Sequence, residues 1–60
     1  MGEFIVRFNV SNTKKPKNQA NKVDALEALG YKDPNPIGLS PDYFRVSELG
    51  KPTEDVVIVL

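Results

Sequence analysis

The side chains able to do chemistry are eight Lys and Arg against eight Asp and Glu, with no His and no Cys. Those two absences remove the commonest general base, the usual zinc and copper ligands and the thiolate nucleophile. Ser11, Ser40 and Ser47 stand beside turns or in strand-forming sequence, with no lysine placed to activate them. The residues therefore predict a protein that is not an enzyme and needs neither metal nor cofactor.

One motif approaches a metal site. Asp33-x-Asn35-x-x-Gly38 matches the opening of a calcium-binding loop, whose ligands at positions one, three and five precede an obligatory glycine. The match then fails, because Ile37 takes the fifth position and Phe44 the twelfth, where a bidentate Glu must complete the oxygen shell. A proline-stiffened turn, with Asp33 and Asn35 bonding nearby amides, is the expected structure.

Cations are the more promising groups. Lys14, Lys15, Lys17 and Lys22 crowd the segment 13–22, between a strand and a helix N-terminus. Such a terminus presents free amides and partial positive charge, so lysines beside it would attract phosphate at some cost to the helix. The competing reading is a solvated loop. Arg7 and Arg45 could share the outer face of a sheet if residues 43–49 pair beside the first strand, and Tyr43 would then join them in a mixed aromatic and basic surface. Such a surface suits a protein partner or single-stranded nucleic acid.

These residues need elements to hold them. Phe4, Val6, Phe8 and Val10 recur at every second position with Glu3, Arg7 and Asn9 between them, which predicts a strand over residues 3–10 with one buried face. Ile5 is the apolar exception on its outer face. A helix follows and ends at Gly30, the expected left-handed residue, after which Tyr31 can fold back on Leu26. Its start is open: Asn18 can cap residues 19–29, or Thr13 can cap a longer helix. Val23, Leu26 and Leu29, flanked by Ala20, form its apolar stripe.

Asp33 to Gly38 reads as an irregular connection, with Ile37 and Leu39 tucked under it as a lid on the core. The next segment has two readings. Ser40-Pro41-Asp42 resembles a helix start and Gly50 with Pro52 a stop, giving a short helix at 41–49. Tyr43-Phe44-Arg45-Val46-Ser47 is instead rich in strand formers, and residues 50–55 would then be a hairpin loop into a final strand, Val56 to Leu60. The strand is the preferred reading. Strand, helix, strand resembles the first half of ferredoxin-like domains, among them small dimeric nucleases whose first strand ends in a catalytic Asp. Asn9 and Ser11 occupy that place here and a second helix is missing.

The expected architecture is α+β: a single β-α-β-β domain over residues 1–60, with a three-stranded sheet and one helix packed on one face. Sixty residues make a core that roughly breaks even against the cost of ordering the chain. One helix covers only one sheet face, which leaves Val57 and Val59, with Ile5 and Tyr43, for a protein interface. These features predict a non-enzymatic protein-binding module that modulates a larger partner, as small phage or mobile-element proteins do, or that pairs with itself as a homodimer. A nucleic-acid or phosphate-binding module using the 13–22 segment is the alternative. With no net charge, little long-range repulsion keeps copies apart. The charge divides along the chain: Arg7, Lys14, Lys15, Lys17 and Lys22 outnumber Glu3, Asp24 and Glu27 in residues 1–30, and the second half is correspondingly acidic. No signal peptide or membrane segment is visible, so a cytoplasmic location is expected.

Overall fold

A computed structural model describes residues 2–11, 14–38 and 40–59. The elements are β1 (Phe4–Phe8), α1 (Gln19–Ala28), β2 (Asn35–Pro36), β3 (Tyr43–Val46) and β4 (Val56–Ile58). They form an α+β fold with one helix and a four-stranded antiparallel sheet in the order β2-β3-β1-β4.

The expected three strands are thus four. β2 lies in what the sequence presents as an irregular connection, with Asn35 opposite Arg45 and Pro36 opposite Phe44. Two residues cannot show a period, and a proline is tolerated there because an edge strand has one side without ladder bonds. Residues 43–46 are strand, so the helical alternative at 41–49 is set aside. Its helix-like start is a turn, in which the Tyr43 N–H donates to Ser40 O at 3.2 Å and the Asp42 N–H to Ser40 Oγ at 3.2 Å.

The hairpin expected at 50–55 is also replaced. β1 is central, pairing with β3 from Phe4↔Val46 to Arg7↔Tyr43 and with β4 from Val6↔Ile58 to Phe8↔Val56. β3 and β4 both run antiparallel to β1 and hence parallel to each other, a relation no tight turn can make. Residues 47–55 therefore cross the sheet beside the helix C-terminus, where the Lys51 N–H donates to Leu29 O at 2.8 Å and the Tyr31 hydroxyl to Lys51 O at 3.0 Å. The connectivity resembles the ferredoxin-like β-α-β-β-α-β arrangement with an extended crossover in place of the second helix.

Helix α1 is bounded as its residues dictate. Asn18 Oδ1 accepts from the Asn21 N–H at 2.8 Å, which makes Asn18 the N-cap. At the other end Gly30 takes φ +91°, its N–H donates to Glu27 O at 2.9 Å, and the Tyr31 N–H donates to Leu26 O at 3.0 Å. That pair of bonds is a Schellman motif, and it swings Tyr31 under the helix it terminates.

The core comprises Val6, Phe8, Leu26, Tyr31, Phe44, Val46 and Val56. Burying each large apolar side chain contributes about 1.5–3 kcal/mol. Phe8 and Phe44 meet edge to face with ring centroids 6.2 Å apart. Val23 and Leu29 are partly buried against this core, but Ala20 is exposed, and Lys22 takes the place expected of it on the inner helix face. Ile37 is half-buried; Leu39, Thr13 and Leu60 lie outside the described residues. No helix among the described residues is long and apolar enough to cross a membrane.

Candidate functional site

Alternation along β1 sends Phe4, Val6 and Phe8 toward the helix and Ile5 and Arg7 to the opposite face. The register then decides their neighbours. Ile5 is opposite Arg45, and Arg7 lies between Tyr43 on β3 and Val57 on β4. The Val59 N–H donates to Ile5 O at 2.8 Å, which continues the ladder one residue beyond β4. Ile5, Tyr43, Val57 and Val59, the apolar and aromatic residues expected at an interface, thus share one helix-free face with both arginines.

The face has two halves. Ile5, Val57 and Val59 form an aliphatic half over β1 and β4, while Arg7, Tyr43 and Arg45 form a guanidinium and aromatic half over β1 and β3. The Arg7 guanidinium carbon lies 5.9 Å from the centre of the Tyr43 ring, a cation–π contact that restrains both side chains. Arg45 and Val59 are exposed and the other four are half-buried. Neither arginine has a carboxylate within ion-pair distance among the described residues.

Strand β4 is also open at its edge. The bond from Val59 to Ile5 places the backbone groups of odd-numbered residues toward β1, so those of Val56 and Ile58 point outward. Thr53 Oγ1 accepts from the Val56 N–H at 3.2 Å and closes that end. Among the described residues none covers Ile58 in this way, and Ile58 is 44% exposed at the sheet margin.

The lysines are arranged differently from an anion site. Lys15 Nζ lies 2.6 Å from Asp42 Oδ2, and Lys22 Nζ lies 3.0 Å from Asp42 Oδ1 and donates to Pro41 O at 3.1 Å. The Oδ1 contact is an ion pair without hydrogen-bond alignment. Lys22 is only 3% exposed, so its ammonium is buried together with its stem. The Lys15 hydrogen bond holds the Asp42 carboxyl below its usual range, burial opposes this, and the close ammonium of Lys22 adds to the lowering. Lys14 and Lys17 are exposed. Two of the four lysines of the 13–22 segment therefore serve an internal carboxylate. Asp42 belongs to the acidic half of the sequence, so this cluster joins the two charge blocks, and no spacing in the sequence marks it.

The turn expected at Asp33 and Asn35 is only partly realised, because Asn35 lies in β2 and the two side chains bond a hydroxyl and a carbonyl rather than backbone amides. Asp33 adopts φ +52°, its Oδ2 accepts from Ser47 Oγ at 3.1 Å, and Asn35 Nδ2 donates to Asp33 O at 3.0 Å. No group of three or more His, Cys, Asp or Glu among the described residues is placed to hold a metal ion.

Comparison with protein-family models, with curated proteins and with solved structures finds no match.

Proposed function

We propose that the protein is a non-enzymatic binding module whose working surface is the open face of the sheet, and that it acts by occupying a surface of a larger partner protein. The observation that carries this reading is the convergence of Ile5, Arg7, Tyr43, Arg45, Val57 and Val59 on one helix-free face. Tyr and Arg are the residue types that most often dominate the energy of protein interfaces, and adjoining aliphatic surface supplies desolvation. The phosphate-binding alternative has weaker support, because Asp42 engages Lys15 and Lys22.

A second copy of the chain is a further partner. The outward backbone groups of Ile58 offer an edge at which β4 can pair with its own equivalent about a two-fold axis. The other edge, β2, is short and carries Pro36.

The test uses wild-type protein, Val57→Lys and Arg45→Glu in parallel as baits, with circular dichroism confirming that each is folded. A partner held by wild type and lost by Val57→Lys supports the open face. Partners held equally by all three overturn it.

A further inference from the structure

We infer that the molecule works as a two-fold dimer in which β4 pairs antiparallel with β4 of a second copy, centred on Ile58, so that the open faces of both copies join into one surface. The inference rests on the binding-module reading and deepens it, because the second copy supplies part of the working face.

Exposure on both sides of one strand carries it. Ile58 and Val59 are 44% and 45% exposed. Ile58 stands opposite Val6, which faces the helix, while Val59 lies beside Ile5 on the helix-free face. A partner laid on either face would cover one of them and leave the other in water. A strand added at the β4 edge covers both. That edge also lacks the usual protection, since no charge or proline occurs from Val56 to Val59, whereas the opposite edge, β2, is two residues long and carries Pro36.

The register follows from which backbone groups are open. Thr53 Oγ1 accepts from the Val56 N–H and closes that end of the edge, which leaves Ile58 as its open centre. A two-fold axis through Ile58 lets each Ile58 N–H donate to Ile58 O of the other copy, a hydrogen-bonded pair with Cα atoms about 5.5 Å apart. Val57 then stands opposite Val59 of the other copy, a non-hydrogen-bonded pair with Cα atoms about 4.5 Å apart. Directly opposed residues share a face. Ile58 therefore meets its own equivalent on the helix side, and on the open side Val57 and Val59 of both copies form one aliphatic strip that each Ile5 continues. Asp55, the nearest charged residue along the strand, is three positions from the axis, so the two Asp55 lie at opposite ends, about 20 Å apart. The strand is thus complementary to itself in this register, which selects a second copy over a strand of another protein.

The experiment combines sedimentation velocity with disulfide trapping in a chain that has no native cysteine. Wild type from about 10 µM to about 1 mM should show a monomer–dimer equilibrium, and Ile58→Lys should stay monomeric while folded by circular dichroism. At a concentration where dimer is present, Ile58→Cys should oxidise to a linked dimer about tenfold faster than Val10→Cys, an exposed control outside the strands. A mixture of Val57→Cys and Val59→Cys should give the 57–59 cross-link in preference to 57–57 or 59–59. In this register the same-residue pairs are diagonal, about 7–8 Å apart, which is too far to bridge. If Ile58→Lys does not fold, the trapping decides. A wild type monomeric at about 1 mM, a dimer that persists in Ile58→Lys, or equal cross-linking in all combinations would each overturn the inference. Arg45→Glu, on β3 away from the edge, reads the open face separately. A monomeric wild type whose protein partner is lost by Arg45→Glu refutes the dimer and leaves the face; a dimer trapped in this register whose partners are indifferent to Arg45→Glu refutes the face and leaves the dimer.

Discussion

Replacing Asp42 with Asn should destabilise the fold far more than replacing Lys22 with Met, although both remove one member of the same ion pair. Asp42 is the only carboxylate facing Lys15 and Lys22 among the described ion pairs, at 2.6 and 3.0 Å, and Lys22 is 3% exposed. Asp42→Asn keeps the shape but leaves a buried ammonium uncompensated, a loss of about 3–5 kcal/mol. A domain of this length has about 3–9 kcal/mol in total, so the variant should be marginal or unfolded at room temperature. Lys22→Met retains the unbranched stem, removes the charge that needs solvation and leaves Asp42 its bond to Lys15. Pro41 is exposed, so water can replace the Lys22 hydrogen bond to its carbonyl. The net change should lie within about 1 kcal/mol of zero, since buried pairs replaced by apolar groups are often neutral or stabilising.

The assay is urea unfolding followed by far-ultraviolet circular dichroism, with equal slopes required for comparison. The pH dependence has a definite sign. Asp42 has a lowered pKa in the folded protein, so its contribution is complete above the unfolded value of about 3.9 and is lost as pH falls through the folded one. The stability gap between wild type and Asp42→Asn should therefore narrow below about pH 4. An Asp42→Asn cost below about 1 kcal/mol, or a Lys22→Met cost equal to it, would refute the argument that Asp42 compensates a buried ammonium.

Three further outcomes follow from the packing and the backbone. A Cβ at Gly50 would fall 2.6 Å from Tyr31 N and inside contact with Leu29 O, so Gly50→Ala should cost more than about 2 kcal/mol in the same unfolding assay; Gly38→Ala, with open space but φ +82°, should cost about 1 kcal/mol. Ile58→Lys should abolish self-association in sedimentation velocity and leave the circular dichroism spectrum unchanged, because Ile58 is 44% exposed at the sheet margin; an unchanged dimer would exclude pairing through β4.

That Arg7, Tyr43 and Arg45 share a face was legible on the condition that residues 43–49 pair beside the first strand, because period-two sequence assigns each to a face; that Arg7 stands opposite Tyr43 is a matter of register and was not. β2 was not legible, since Asn35-Pro36 has no period and becomes strand only because β3 offers an edge. The crossover at 47–55 was hidden for a related reason. Turn-forming residues there suit a hairpin as well as a crossover, and only the placement of β1 between β3 and β4 excludes the hairpin. Lys22 reads as a surface cation in the sequence because the carboxylate and carbonyl that let it be buried, Asp42 and Pro41 O, are brought to it only by the fold.

By itself the sequence determined the inward alternation of Phe4, Val6 and Phe8, the Gly30 end of the helix, and the lack of histidine and cysteine chemistry. Each depends on local geometry or composition, which neighbours along the chain suffice to specify. It left the helix start open between Thr13 and Asn18, and Val10, expected on the buried face of a strand over 3–10, lies beyond β1 and is 65% exposed. Tertiary structure alone decided that Lys15 and Lys22 meet Asp42 and that Arg7 and Arg45 stand as diagonal neighbours over one helix-free surface. Those juxtapositions join residues twenty or more positions apart, and they depend on strand order and register, which are set by how the whole core packs.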